Sequence, residues 1–167
     1  MPDLDGLELV FMTPNPDPEL AQIEQRVIQA AESLVTYDGY LLTCDLNERS
    51  ITHKFAEHLQ REFPEWNVDC EYNRDHDDTK RLDLPPRRNI SSDDLDAKTV
   101  YPDIIVHRRG TDLNIVVIEV KKSTNPEGDG WDKRKLAAFR TQLAYRVALF
   151  FRFRTGAPDV DFDCERG

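Results

Sequence analysis

The chain has 167 residues, 39% of them hydrophobic, which is enough for one domain with a buried core. No apolar run approaches the ~20 residues that a membrane-spanning helix needs, so no membrane span is predicted. Its 22 basic and 32 acidic residues give a net charge of -10. This charge argues against a protein that coats nucleic acid, because such affinity comes from Lys and Arg replacing counterions, but it leaves metal-dependent cleavage open.

The start of the chain carries no basic segment ahead of an apolar one. A secretory signal is therefore not predicted, and a cytoplasmic location is expected. Residues 1–16 contain a short apolar run followed by prolines, which indicates an arm or an added edge strand. The three cysteines are too few and too widely spaced for a disulfide framework or a zinc site, and are expected to be reduced thiols: Cys44, Cys70 and Cys164.

A first amphipathic helix is predicted to begin at Asp17, as its N-cap, with Pro18 at the first helical position. It is expected to end near residues 37–39. Its apolar stripe is most simply explained by core packing, with a dimer interface as the alternative: Leu20, Ile23, Val27 and Leu34.

A second helix is predicted over residues 46–63, where Glu48 has two interpretations. With Asp45 as the N-cap, Glu48 three residues later would complete a capping box. Alternatively, Glu48 lies on the same helical face as Ile51 and Phe55, so its carboxylate points toward the interior and is available as a metal ligand.

A strand is predicted over residues 68–72, followed by a charged segment, 73–100, with few apolar residues. A structureless stretch of this length inside a domain is typically mobile or functional. Its basic residues Arg74, Lys80 and Arg81 are candidates for phosphate contacts. The many aspartates among them favour the alternative of a solvated loop.

Two short β-branched runs, residues 104–106 and 115–118, flank a glycine-containing turn and predict a β-hairpin. If the turn centres on residues 110–112, Asp103 and Glu119 lie roughly opposite each other. Glu119 and Lys121 share one face of the strand, because side chains alternate. Two carboxylates on buried strands repel unless a cation sits between them, and a divalent metal is the natural one. The alternative is that Glu119 and Lys121 pair at a fraying strand end.

The remaining sequence predicts a polar turn, a helix over residues 131–143, a strand over 146–153 and a tail over 154–167. The predicted order of elements is helix, strand, hairpin, helix, strand. This order indicates an α/β protein, and we treat residues 1–167 as a single domain.

Pro102-Asp103 before one strand and Glu119-Val120-Lys121 at the end of the next match the PD-(D/E)xK pattern. Over roughly residues 46–153 the chain therefore resembles the restriction-endonuclease-like nuclease superfamily. The resemblance implies an αβββαβ core, with a central mixed sheet flanked by helices, to which residues 1–45 add an N-terminal arm and helix.

The resemblance also implies a metal site for Mg²⁺, with Mn²⁺ as a substitute. Asp103, Glu119 and the backbone carbonyl of Val120 would hold the ion, with Glu48 as a further ligand, and Lys121 would orient the attacking water or stabilise developing charge. Lys122 points the other way and would at most contact a phosphate. Gln142 resembles a glutamine that some members place beside the metal.

The function implied is metal-dependent hydrolysis of nucleic acid, with DNA favoured, in restriction, defence or repair. A homodimer or a targeting partner is open, and no membrane partner is expected. The alternative, since a fold does not dictate a function, is a catalytically idle nuclease fold that binds its partner, or a module that binds proteins.

Overall fold

The computed structural model describes residues 17–72, 74–75, 78–79, 82–84 and 100–167, with only the backbone at 74–75 and 78–79. The predicted arm over 1–16 and most of the charged segment, including Lys80 and Arg81, lie outside the described residues. Within the described part of the chain, no helix is long and apolar enough to cross a membrane.

Three helices are present: α1 spans Pro18–Thr43, α2 spans Glu48–Glu62 and α3 spans Gly130–Gln142. The predicted start of α1 is confirmed, because the Asp17 side chain accepts a hydrogen bond from the amide of Glu19. The helix continues past its predicted end, although Asp38 has non-helical torsion angles there. The stripe along α1 packs into the core, as predicted: Ile23, Val27 and Leu34.

The start of α2 differs from the prediction. Its N-cap is Asn47, whose Oδ1 accepts the amide of Ser50 at 2.9 Å. Asp45 lies in the link between the helices with a φ of 50° and binds Thr124 and Lys122 instead. The capping-box interpretation is therefore wrong, and Glu48, as the first residue of the helix, has its carboxylate free for other partners.

A mixed five-stranded sheet forms the centre of the fold. Its strands lie in the order β1 (Asn67–Cys70), β4 (Ile104–His107), β5 (Asn114–Lys122), β6 (Val147–Phe153) and β7 (Phe162–Arg166). Strands β5 and β6 run parallel, connected through α3, and all other neighbours are antiparallel. The α/β class and the mixed sheet are thus confirmed. Two further strands, β2 (Arg74–Asp75) and β3 (Asp78–Thr79), form a separate ribbon.

The predicted hairpin is β4 and β5. Ile104 pairs with Ile118, so the next position of this register sets Asp103 against Glu119, as the sequence predicted. The turn needs Gly110, whose φ of 70° lies in the left-handed region that side chains disfavour. The hairpin therefore brings both acids to the same end of strands β4 and β5.

The two faces of the sheet are covered by different helices. Val116, Ile118 and Val120 point into a core shared with α1 and α2. Ile105 and Val117 point into a second core, shared with α3. Because side chains alternate, residues 119 and 121 fall on the α3 side.

The predicted tail is partly wrong, because it contains the edge strand β7, Phe162–Arg166. Phe162 and Cys164 pack against the core, whereas Asp163 and Glu165 face solvent. This alternation is typical of an edge strand, but two apolar residues among charges gave a weak pattern. The three thiols are free, as expected.

Candidate functional site

Asp103 directly precedes β4, at the N-terminal end of this inner strand of the sheet. Its Oδ2 accepts the amide of Val120 at 2.7 Å, and its backbone carbonyl accepts the amide of Glu71 at 3.1 Å. The side chain of Asp103 thus continues the hydrogen-bond ladder past the end of β4, by accepting the Val120 amide. The backbone of β5 thereby fixes the position of this carboxylate.

Glu119 is 1% exposed and faces α3. Its Oε2 lies 2.6 Å from the Nζ of Lys135, while its Oε1 is buried without a hydrogen-bond partner. A buried carboxylate oxygen without a partner is costly, and native structures seldom tolerate one without a reason. Oε1 is the atom in this structure that most clearly needs a proton or a cation.

Lys121 is 5% exposed and lies on the same face as Glu119, as predicted. Its ammonium, however, does not contact Glu119. It lies 2.6 Å from Asp132 Oδ2 and donates to the carbonyl of Gly128 at 3.0 Å. The simple Glu119–Lys121 pair of the alternative interpretation is therefore not formed.

Lys135 is the functional residue that the sequence analysis missed. It lies on α3, is buried, and also approaches Asp132 Oδ1 at 3.6 Å. A signal was present, because Asp132, Lys135 and Leu136 share the stripe that carries Phe139. An acid and a lysine in the buried stripe of a helix indicate a charged partner on the facing strand.

With every group ionised, Asp103, Glu119 and Asp132 carry one more charge than Lys121 and Lys135 together, so the cluster needs one further positive charge, from a proton or from a cation. Burial, followed by the charge of Asp103, raises the pKa of Glu119 well above its ordinary value. Burial also raises the pKa of Asp103, although the amide of Val120 offsets part of the effect.

Lys135 remains charged in this setting. Burial lowers its pKa, but the carboxylates of Glu119, Asp103 and Asp132 outweigh that effect, and its pKa is raised. The missing positive charge is therefore one beyond the two lysines.

A divalent cation fits this deficit. The orphaned Glu119 Oε1 and the adjacent Asp103 offer oxygen ligands, and Mg²⁺ needs only one or two carboxylates because it keeps several waters. Among the residues that the structure describes, no group of three or more His, Cys, Asp or Glu side chains is arranged to hold a metal. The fit is thus to a site of two carboxylates.

Glu48 lines the same pocket as Asp103, with one of its carboxylate oxygens already bonded. Its Oε2 accepts the amide of Lys122 and the side-chain amide of Asn125, each at 3.1 Å. The ammonium of Lys122 binds the Asp45 carboxylate at 3.0 Å and the carbonyl of Leu46 at 3.1 Å. Lys122 therefore fastens the link between α1 and α2, and the structure shows it in that role rather than at a phosphate-binding surface.

Gln142 is not brought to the carboxylates. Its side-chain amide exchanges two hydrogen bonds with the backbone of Asp83, at 2.8 and 3.1 Å, and so holds residues 82–84 against the end of α3. Arg74 belongs to the small β2–β3 ribbon. Gln142 therefore does not contribute to the charge cluster.

A pocket of about 360 Å³ opens at the end of the sheet where Asp103 lies. It lies between α2 and the end of β1, and Asp103 lines it together with Glu48. Glu119 lies beneath the surface. A ligand would therefore approach the acid pair through Asp103. The other lining residues are Arg49, Thr52, His53, Cys70 and Glu71.

Glu119→Gln is expected to raise the free energy of unfolding at neutral pH and to flatten its pH dependence. In the metal-free protein the folded-state pKa is raised above the ordinary value of 4.5, so between the unfolded-state and folded-state pKa values the folded protein holds a proton that the unfolded chain releases. The stability due to this proton is complete below the unfolded-state pKa and is lost as pH rises through the folded-state pKa. Glutamine does not ionise, so this loss disappears.

Urea unfolding in EDTA, at mildly acidic and at alkaline pH, measures the difference. Glu165→Gln is the matched control, since Glu165 is exposed and paired with Lys133. An unchanged pH dependence in Glu119→Gln would show that Glu119 is already ionised in the folded protein.

Comparison of the chain with protein-family models, with curated proteins and with solved structures gives no match.

Proposed function

We propose that this chain is a metal-dependent nuclease that hydrolyses phosphodiester bonds, with DNA as the favoured substrate. The observation that carries the proposal is the buried, unpartnered Oε1 of Glu119 beside Asp103, in a cluster that lacks one positive charge. Perturbed carboxylates of this kind, next to an open pocket, are typical of functional sites.

The order of the long elements also supports the proposal. Helix α2 is followed by β1, by the β4–β5 hairpin, by α3 and by β6, which is the order of the αβββαβ core of restriction-endonuclease-like proteins. The acids lie where the PD-(D/E)xK pattern requires them, at the start of β4 and the end of β5. Restriction, defence or repair in the cytoplasm is the setting that fits this reaction.

Asp103 and Glu119 would hold Mg²⁺ or Mn²⁺. When bound, the ion supplies an activated water at neutral pH and neutralises charge on the scissile phosphate. Asp103 reaches the pocket and fixes the substrate side of the site, while the buried Glu119 supplies the second carboxylate. The Val120 amide orients Asp103 through a charge-assisted hydrogen bond of 2.7 Å.

Lys135 has the position that the sequence analysis gave to Lys121. Its ammonium holds Glu119 in one orientation, so that Oε1 and not Oε2 is the open oxygen. Lys121 acts through Asp132, which contacts both lysines. Both lysines are therefore positioning residues in this arrangement.

A second candidate is a catalytically idle nuclease fold that binds its partner without cleaving it. The observation in its favour is that the ammonium of Lys121 is already bound by Asp132 and by the carbonyl of Gly128, and so is not directed at a substrate. In that case the buried acids would be neutralised by a proton and not by a metal ion.

The two candidates differ in one experiment. The purified protein is incubated with labelled single- and double-stranded DNA and RNA in Mg²⁺, in Mn²⁺ and in EDTA. The nuclease is expected to cleave at least one substrate with metal and none in EDTA, and its unfolding temperature is expected to rise with Mn²⁺. Absence of both effects would reject the nuclease and favour the idle fold.

A further inference from the structure

A second pocket adjoins the first along α2. Its volume is about 370 Å³, and it lies between the end of α1 and the first half of α2. Arg49 and His53 line both pockets, so the two pockets lie side by side along α2 and together form a groove that these residues divide. The second pocket is lined by Leu41, Leu46, Arg49, Ser50, His53 and Lys54.

Arg49 and His53 form a ridge between the two pockets. Residues four apart are neighbours on one face of a helix, about 6 Å apart along its axis. Their side chains are 87% and 68% exposed, so both are accessible from the groove.

The second pocket has a charge opposite to that of the whole chain. Of the described residues, Arg49, Lys54 and His53 line it and no acid does, although the net charge of the protein is -10 and Glu57 lies 3.1 Å from His53. Arg49 pairs with Glu71 at 3.4 Å and Lys54 pairs with Glu57 at 2.8 Å. Such exposed ion pairs are worth little, and a phosphate can replace the carboxylate.

The floor of the second pocket is apolar, because Leu41 and Leu46 line it. Cations above an apolar surface suit a nucleotide, whose phosphate is charged and whose base has a flat, weakly polar face. Non-specific sites for single strands combine a positive groove with aromatic side chains on which bases stack, and here Leu41 and Leu46 supply an apolar surface in place of the aromatic one.

We infer that a single-stranded segment of nucleic acid crosses this ridge. Phosphates contact Arg49 and Lys54, His53 lies between the two pockets, and one base rests on Leu41 and Leu46. This inference rests on the proposed function, because the strand continues from the pocket that Asp103 lines. A duplex keeps its bases paired inside, so it would have to flip a base out to fill the second pocket.

Binding without cleavage tests the inference. The fluorescence anisotropy of a labelled single-stranded oligodeoxynucleotide, of the same sequence as RNA and of the DNA duplex is measured in EDTA. The doubly substituted protein, Arg49→Ala with Lys54→Ala, is compared with wild type. Arg166→Ala is the matched control, because Arg166 is 66% exposed, has one ion pair with Glu24, and lies at the other end of the sheet.

We expect the double substitution to weaken single-strand binding by about tenfold. Each lost phosphate contact reduces the slope of log K against log salt by about 0.7, so two contacts reduce it by about 1.4. The control is expected to bind like wild type, and the unfolding temperatures of all three proteins are expected to agree closely.

Equal binding of duplex and single strands by wild type would overturn the inference. So would unchanged binding by the double variant. A selective loss of single-strand binding in a protein that shows no metal-dependent cleavage would support the surface while rejecting the nuclease. The two proposals therefore fail independently.

Discussion

Asp103→Asn is expected to remove metal-dependent cleavage while leaving the fold intact. Asparagine keeps the shape of the side chain, and its Oδ1 still accepts the amide of Val120. It lacks the charge, so the pair of acids would retain only one carboxylate for the ion. We expect cleavage to fall by at least ~10²-fold, the scale seen when one positioned electrostatic group is removed.

Two measurements accompany the cleavage rate. The rise in unfolding temperature on adding Mn²⁺ is expected to shrink in Asp103→Asn, because the ion binds the folded state less tightly. Asp163→Asn is the control, since Asp163 is an exposed residue of the edge strand β7. Full activity in a folded Asp103→Asn protein would rule out the proposed metal site.

Lys135→Met is expected to have the largest effect on stability. It removes the ammonium 2.6 Å from Glu119 and leaves a buried carboxylate without its cation. Breaking a buried pair by removing one partner costs about 3–5 kcal/mol. The cost should be full at alkaline pH and smaller at mildly acidic pH, because Glu119 can then take up a proton.

The control and the rescue use the same helix. Lys133→Met removes a half-exposed lysine that pairs with Asp129 and Glu165, and is expected to change stability much less than Lys135→Met, because exposed ion pairs contribute little. Adding Glu119→Gln to Lys135→Met should recover much of the lost stability. Equal destabilisation by the two single substitutions, without rescue, would mean that Lys135 contributes packing rather than charge.

The hairpin could be predicted from sequence because its determinants are local. Two β-branched runs and Gly110 set the turn, and the turn sets the register that brings residues 103 and 119 together. The facing of Lys121 followed from the same alternation. The first helix was equally local, since Asp17 and Pro18 define its start.

The partners of the acids could not be predicted in the same way. Which lysine reaches Glu119 depends on how α3 packs across the sheet. Lys135 of α3 pairs with Glu119, whereas Lys121, only two residues from Glu119 along β5, pairs with Asp132 instead. Likewise, Asn47 rather than Asp45 caps α2, because Lys122 draws Asp45 into the link between the helices. These choices are made by tertiary contacts.

The charge cluster also bears on the order of events during folding. Glu48 meets the amide of Lys122 across 74 positions of sequence, and Lys135 must arrive from α3 before Glu119 is neutralised. Contacts between residues far apart in sequence form late, because closing the long loop between them costs conformational entropy before the contact contributes any stability. A chain still emerging from the ribosome would have Asp103 and Glu119 but no helix to pair them. The proposed nuclease would therefore stay inert during synthesis and become competent only after α3 has docked.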